Sequence, residues 1–134
     1  IRMAELMFVD VVRRYMDGLS AQQTGWLAGL RDPVIGKALA ALHTRPAHPW
    51  TLAALAREVA TSRTVLAERF SELTGIPPMQ YLTQWRLQLA AEQLVRGSAK
   101  VAAVGAHVGY ESEAAFSRAF RRANGSAPGA WRSA

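Results

Sequence analysis

Cysteine is absent from the 134 residues. That excludes a disulfide frame, a thiol nucleophile and any thiolate metal site, and it fits a reducing compartment. Long apolar runs are missing too: none approaches the roughly 18 residues that would span a membrane. Strand-like alternation is scarce while half of the residues are apolar, so an all-α fold is expected. No Ser/His/Asp set, paired-carboxylate site or phosphate-binding Gly loop is present, so no catalytic residues and no cofactor are expected. The histidines, His43, His48 and His107, have no acidic or thiol partner at ligand spacing, which speaks against a metal site. The chain begins at Ile1 with neither an initiator Met nor a signal-peptide pattern, and reads as a piece of a longer chain.

Lysine is also rare, two residues against fourteen arginines, within a net charge of +6 from 16 basic and 10 acidic residues. A positive balance favours an acidic partner such as nucleic acid, although many soluble proteins carry as much. Arginine is the better fork for phosphate and guanine. In a chain this rich in alanine, biased codon composition explains the ratio equally well.

One stretch organises the rest. Pro77 and Pro78 suit a first helical turn, residues 78–96 contain no further Gly or Pro, and Gly97 offers a stop. This predicts a helix of about 19 residues, roughly 28 Å long, with Met79, Leu82, Trp85, Leu89 and Ala90 as its apolar stripe.

The chain repeats itself on either side of that helix. Before it, Leu52, Leu55 and Val59 are followed by Ser62, Leu66, Phe70, Gly75 and Pro78. After it, Val101, Val104 and Val108 are followed by Ser112, Phe116, Phe120, Gly125 and Pro128 at the same steps. One residue is added at the turn, Gly109-Tyr110-Glu111 against Ala60-Thr61. Agreement over eight aligned positions marks a doubled helix pair.

In chain order, residues 1–17 read as an amphipathic helix ended by Gly18. Ser20 and Gln23 form a capping box for a second, running to about residue 30. These helices would pack within the subunit, trail a missing domain or dimerise. Asp32-Pro33 is an N-cap with Pro at N1, starting a helix to about Leu42 that buries Val34, Ile35, Ala38, Leu39 and Leu42. Residues 43–50 are expected to be a loop, with Trp50 as a hydrophobic staple before the cap Thr51.

Two helix-turn-helix units follow from the repeat. In the first, residues 52–59 brace a second helix, 63–74, capped by Ser62. Its buried side is Leu66, Phe70 and Leu73, leaving Arg63, Thr64, Ala67, Glu68 and Ser71 outward. In the second, residues 101–108 brace a helix capped by Ser112, with Gly109 at the turn. Phe116, Ala119 and Phe120 point inward, and Glu113, Ala114, Ser117, Arg118, Arg121 and Arg122 outward. A braced helix with polar, exposed N-terminal residues suits a DNA major groove. Arg118 is placed for guanine, and Arg121 and Arg122, a turn further on, for phosphate. Residues 128–132 form a last short helix, with Trp131 as an apolar lid and Arg132 available to phosphate. Readers on successive grooves lie about 34 Å apart, close to the length of the linking helix, so one chain could cover two grooves of double-stranded DNA as a monomer.

The run Gly109-Tyr110-Glu111-Ser112-Glu113-Ala114-Ala115-Phe116-Ser117-Arg118-Ala119-Phe120-Arg121-Arg122, then Gly125, Pro128, Trp131 and Arg132, resembles the signature of the AraC/XylS family of bacterial transcription regulators. From Asp32 onward the chain is similar to that family's whole DNA-binding domain. The resemblance implies three parts: a first helix-turn-helix unit over 32–77, a linker helix over 78–96 and a second unit over 98–134. It implies sequence-specific promoter binding, usually with activation of transcription, and contact with RNA polymerase. Residues 1–31, with Gln23-Thr24-Gly25-Trp26-Leu27, resemble the helices that follow a cupin-type sensing domain, which commonly take part in homodimerisation. A cytoplasmic, nucleoid-associated protein is implied.

Carried over by position, the base-reading residues are Arg63, Thr64, Ala67 and Glu68, then Glu113, Ala114, Ser117 and Arg118. Backbone contacts fall to Ser62, Ser112, Arg121, Arg122 and Arg132. The sequence departs from the family at three places. Glu68 stands where Arg is common. Gly105 replaces Ala, at up to about 1 kcal/mol of helix propensity. Asn124 replaces an aromatic residue. Of the rival readings, DNA-repair alkyl transferases carry a similar unit but need a thiol. A helical scaffold would not need Arg118, Arg121 and Arg122 together.

Overall fold

The structure, a computed structural model, describes residues 32–133. The helices expected within residues 1–31 lie outside the described residues. Seven α-helices and no strand occur among those described: α1 Pro33–Thr44, α2 Leu52–Glu58, α3 Arg63–Thr74, α4 Pro78–Arg96, α5 Val101–His107, α6 Glu113–Asn124 and α7 Pro128–Ser133. The fold is all-α, with two helix-turn-helix units and the long helix α4 between them in the chain. By contact, the described residues fall into two units, one of 32–45 and Trp50–Leu82, the other of Pro46–Pro49 and Thr83 onward.

In the first unit α1 packs on α2 and α3. Its start is fixed by Asp32, whose Oδ1 accepts from the Val34 N–H at 2.8 Å, with Pro33 supplying a first turn that needs no donor. The helix runs two residues beyond Leu42, because the Arg45 N–H closes on the Ala41 carbonyl and Thr44 Oγ1 donates to the Ala40 carbonyl. His43 is therefore helical, and its Nε2 lies 2.7 Å from the Tyr81 hydroxyl. Trp50 is buried: its Nε1 donates to the Arg45 carbonyl at 2.9 Å, and the Arg45 guanidinium lies 4.8 Å from its ring centre.

The buried side chains of this unit include Ile35, Leu39, Leu42, Leu55, Leu66, Phe70, Tyr81 and Leu82. Leu73, expected inside, is half-buried, and Thr74 is buried in its place. The hydroxyl explains the exchange: Thr74 Oγ1 lies 2.8 Å from the carbonyls of both Phe70 and Ile76, so the polar atom is paired where it is buried.

The second unit closes around Leu87, Ala90, Leu94, Val104, Val108, Phe116 and Phe120. Met79 and Leu89 of the expected α4 stripe are half-buried, whereas Tyr81, Leu87 and Leu94 are buried. An aromatic chain runs through this core, with ring centroids 5.5 Å apart for Tyr110–Phe116, 5.7 Å for Phe116–Phe120 and 5.6 Å for Phe120–Trp131. Spacings of this size are the edge and tilted contacts that aromatic quadrupoles favour.

Gly105 is no propensity defect. A Cβ built on it would stand 2.8 Å from Cγ and 2.9 Å from Cβ of Phe116, so the small residue lets α5 seat directly on the Phe116 side chain. The small residue at this position is a packing fit.

Candidate nucleic-acid interface

The two exposed helices, α3 and α6, are built the same way. Each has 12 residues. Each is opened by a serine whose hydroxyl accepts an N–H three residues on, Ser62 from Val65 and Ser112 from Ala115, both at 3.1 Å. Such a cap satisfies one of the four free donors of a helix start. Each ends on a left-handed glycine, Gly75 at φ 86° and Gly125 at φ 82°. This is a C-terminal stop that a side chain would strain.

The tight turns that present them also correspond. Ala60 N–H meets the Arg57 carbonyl and Thr61 N–H the Ala56 carbonyl, while Gly109 meets Ala106 and Tyr110 meets Gly105. The one-residue insertion falls after this shared pattern, at Glu111, so the turn itself is conserved within the chain. The two turns differ at one point: Gly109 holds φ 110°, and its counterpart Ala60 holds φ 58° with a side chain attached.

On α3, Arg63, Thr64 and Glu68 are exposed and Ala67 is partly buried; on α6, Glu113, Ala114 and Arg118 are exposed and Ser117 is partly buried. Each helix thus gathers its four expected base-reading residues near its own N-terminus. Arg121 and Arg122 are exposed a turn further along α6. Among the described residues, Arg63, Arg118, Arg121 and Arg122 form no ion pair. Arg69 differs, since its Nη1 lies 3.1 Å from Asp32 Oδ2. Asp32 thereby caps α1 and restrains Arg69 together.

Arg132 is engaged inside the protein. Its Nε donates to the Leu94 carbonyl at 2.8 Å, one of the acceptors left open at the end of α4. Its Nη2 is buried with no partner among the described residues. It holds the helix end, and is not the free phosphate contact expected from its position in the sequence.

Arg86 carries no motif or spacing that marks it in the sequence. Its Nε donates to the Pro46 carbonyl at 2.7 Å and its Nη2 to the His48 carbonyl at 2.8 Å, so one guanidinium folds the 46–49 loop onto α4. Burial lowers the Arg86 pKa, and the neighbouring Tyr110 raises it in part. Burial likewise raises the Tyr110 pKa, opposed by Arg86 and Arg122. Gly109 is pinned to the same place: a Cβ there would lie 2.9 Å from Arg86 Nε and 3.0 Å from Ala47 Cα.

Among the described residues, no group of three or more His, Cys, Asp or Glu side chains is placed to hold a metal. No described helix is long and apolar enough to cross a membrane.

Comparison with known proteins bears on the arrangement directly. A family profile described as a helix-turn-helix domain matches residues 55–134. The DNA-binding domain of AdpA, a global transcriptional factor solved in complex with a target DNA, is 31% identical. It superposes with a TM-score of 0.71 over 75% of this chain and 90% of its own. An AraC-like transcription regulator of Streptomyces antibioticus is 48% identical over 130 residues, covering 97% of this chain and 43% of that protein. The chain belongs to the AraC family. The transcriptional activator RclR of Escherichia coli is 36% identical over 125 residues, covering 93% of this chain and 44% of its own length. The chain therefore spans less than half the length of these two relatives.

Proposed function

We propose that this chain is the sequence-specific DNA-binding part of a bacterial transcription regulator, with α3 and α6 as its two major-groove readers. The observation that carries the reading is the duplicated presentation of α3 and α6. The same serine cap, the same turn bonds and the same glycine stop hold two helices whose N-terminal residues are exposed. A related domain 31% identical to it is bound to a target DNA.

In this reading Arg63, Thr64, Ala67 and Glu68 meet bases in one groove, and Glu113, Ala114, Ser117 and Arg118 in the next. Arg121 and Arg122 hold phosphate. The capped helix starts at Ser62 and Ser112 lie against the backbone, where free N–H groups and the helix dipole favour an anion. Control by a sensing domain, activation through RNA polymerase and pairing through residues 1–31 complete the proposal for the full-length protein.

The test is a selection of bound sites from random duplexes with this chain. Enrichment of two boxes one helical turn apart supports two readers. A single enriched box would leave one reader on bases, and no enrichment with a flat salt dependence of binding would overturn DNA recognition altogether.

A further inference from the structure

We infer that Val65, which lies outside the base-reading set above, reads a thymine methyl group in the box served by α3. Val65 is 39% exposed, and with Val95 it is one of the two large apolar side chains that the described residues leave open to water. It sits in the first turn of α3 beside Thr64 and three residues before Glu68, which makes it a surface neighbour of Glu68.

Its position is fixed before any partner arrives. The Val65 N–H is the donor that Ser62 Oγ caps at 3.1 Å. A β-branched side chain in a helix keeps one strongly preferred rotamer. Two methyl groups are thus held outward with little rotamer freedom left to lose, the condition under which a small apolar contact yields most of its transfer free energy.

The chemistry of α3 also points to a methyl. Its charged residues are Arg63, Glu68, Arg69 and Glu72, which balance to zero, and Arg69 is paired with Asp32. Hydrogen-bonding readout on this helix rests on Arg63, Thr64 and Glu68, and the thymine C5-methyl is the feature of the major groove that an apolar side chain recognises. The counterpart on α6 is Ala115, which is shorter and partly buried, so the contact belongs to the first box alone.

The inference rests on the DNA-binding reading, and the experiment separates the two. Once selection has supplied a bound duplex, each thymidine of the α3 box is replaced singly by deoxyuridine, which deletes the methyl and keeps every hydrogen-bonding edge. One replacement should weaken binding of the unaltered chain about fourfold, the equivalent of about 0.8 kcal/mol for one buried methyl-sized group. The same replacement should have no effect on Val65→Ala, a variant that keeps the fold because the side chain is exposed and alanine is the better helix former. Indifference of the unaltered chain to every replacement overturns the assignment, as does a penalty that persists in Val65→Ala. Failure of selection to return any duplex would instead remove the DNA-binding reading itself.

Discussion

Single residues decide three features of this protein. At Gly105 the atom that is missing matters most, because a Cβ would press into the Phe116 side chain near its backbone. Helix propensity alone would have Gly105→Ala stabilise the chain by about 1 kcal/mol. Overpacking reverses the sign, and the variant should instead lose about 1–3 kcal/mol in urea unfolding. Ala60 shows the converse. Its φ of 58° is one that side chains rarely adopt, and it is exposed with nothing to lose. Ala60→Gly should therefore gain about 0.5–1 kcal/mol in the same measurement. His43 adds a dependence on pH. Burial holds it at about 4, below the ordinary 6.5, so the unfolded chain takes up a proton that the folded chain refuses. Its contribution is complete above pH 6.5 and is lost as the pH falls toward 4, a loss of about 1–2 kcal/mol once partial exposure is allowed for. The stability of His43→Gln to urea should fall less between pH 7 and pH 5 than that of the unaltered chain. Equal losses would show that His43 is not the group responsible.

At the scale of elements, the two bracing helices are matched in length, seven residues each, but not in how they begin. Thr51 caps α2 by accepting the Ala54 N–H at 3.0 Å, whereas Lys100 at the start of α5 makes no side-chain cap. Giving α5 the hydroxyl of its counterpart, Lys100→Thr, should raise stability by about 0.5–1 kcal/mol, read as a higher urea midpoint at unchanged slope. The long helix α4 was legible from its prolines, its uninterrupted run and its terminal glycine, and it spans Pro78–Arg96 as those signals require. What the pattern missed on it was the buried set. Tyr81, Leu87 and Leu94 are inside and Met79 is not fully so, because a helix that meets different partners along its length buries more than one stripe. Leu73 and Thr74 exchanged places for a different reason. Hydropathy ranks the leucine first, but the Thr74 hydroxyl has the Phe70 and Ile76 carbonyls as partners, which lets it be buried.

For the whole molecule, charge is divided unevenly. The first unit carries five Lys and Arg against four Asp and Glu among its described residues, and the second carries seven against three. The second unit is therefore the stronger attractor of a polyanion. Arg122→Ala should weaken binding to selected and random duplexes alike and lower the salt slope by about one. Arg118→Ala should cost about 1–3 kcal/mol on the selected site and relax preference at one base pair. Competition titrations over a range of salt distinguish the two. An equal loss for Arg118→Ala on random DNA would move that residue to phosphate, and a loss for Arg122→Ala confined to one base position would move it to a base.

The sequence by itself determined the all-helical class, the doubled unit, the caps at Asp32, Thr51, Ser62 and Ser112, and the stops at Gly75 and Gly125. The caps and stops depend on residues within about five positions of one another, where backbone geometry leaves few choices, and the doubled unit is their recurrence on the far side of α4. Tertiary structure alone decided that Arg86 binds the carbonyls of Pro46 and His48, that Arg132 turns inward to Leu94, and that Gly105 is a seat for Phe116. These partners lie 38 to 40 residues away for the two arginines. A guanidinium at such a distance has no periodicity to announce whether it will meet a carbonyl or a phosphate; the packing around it makes that choice.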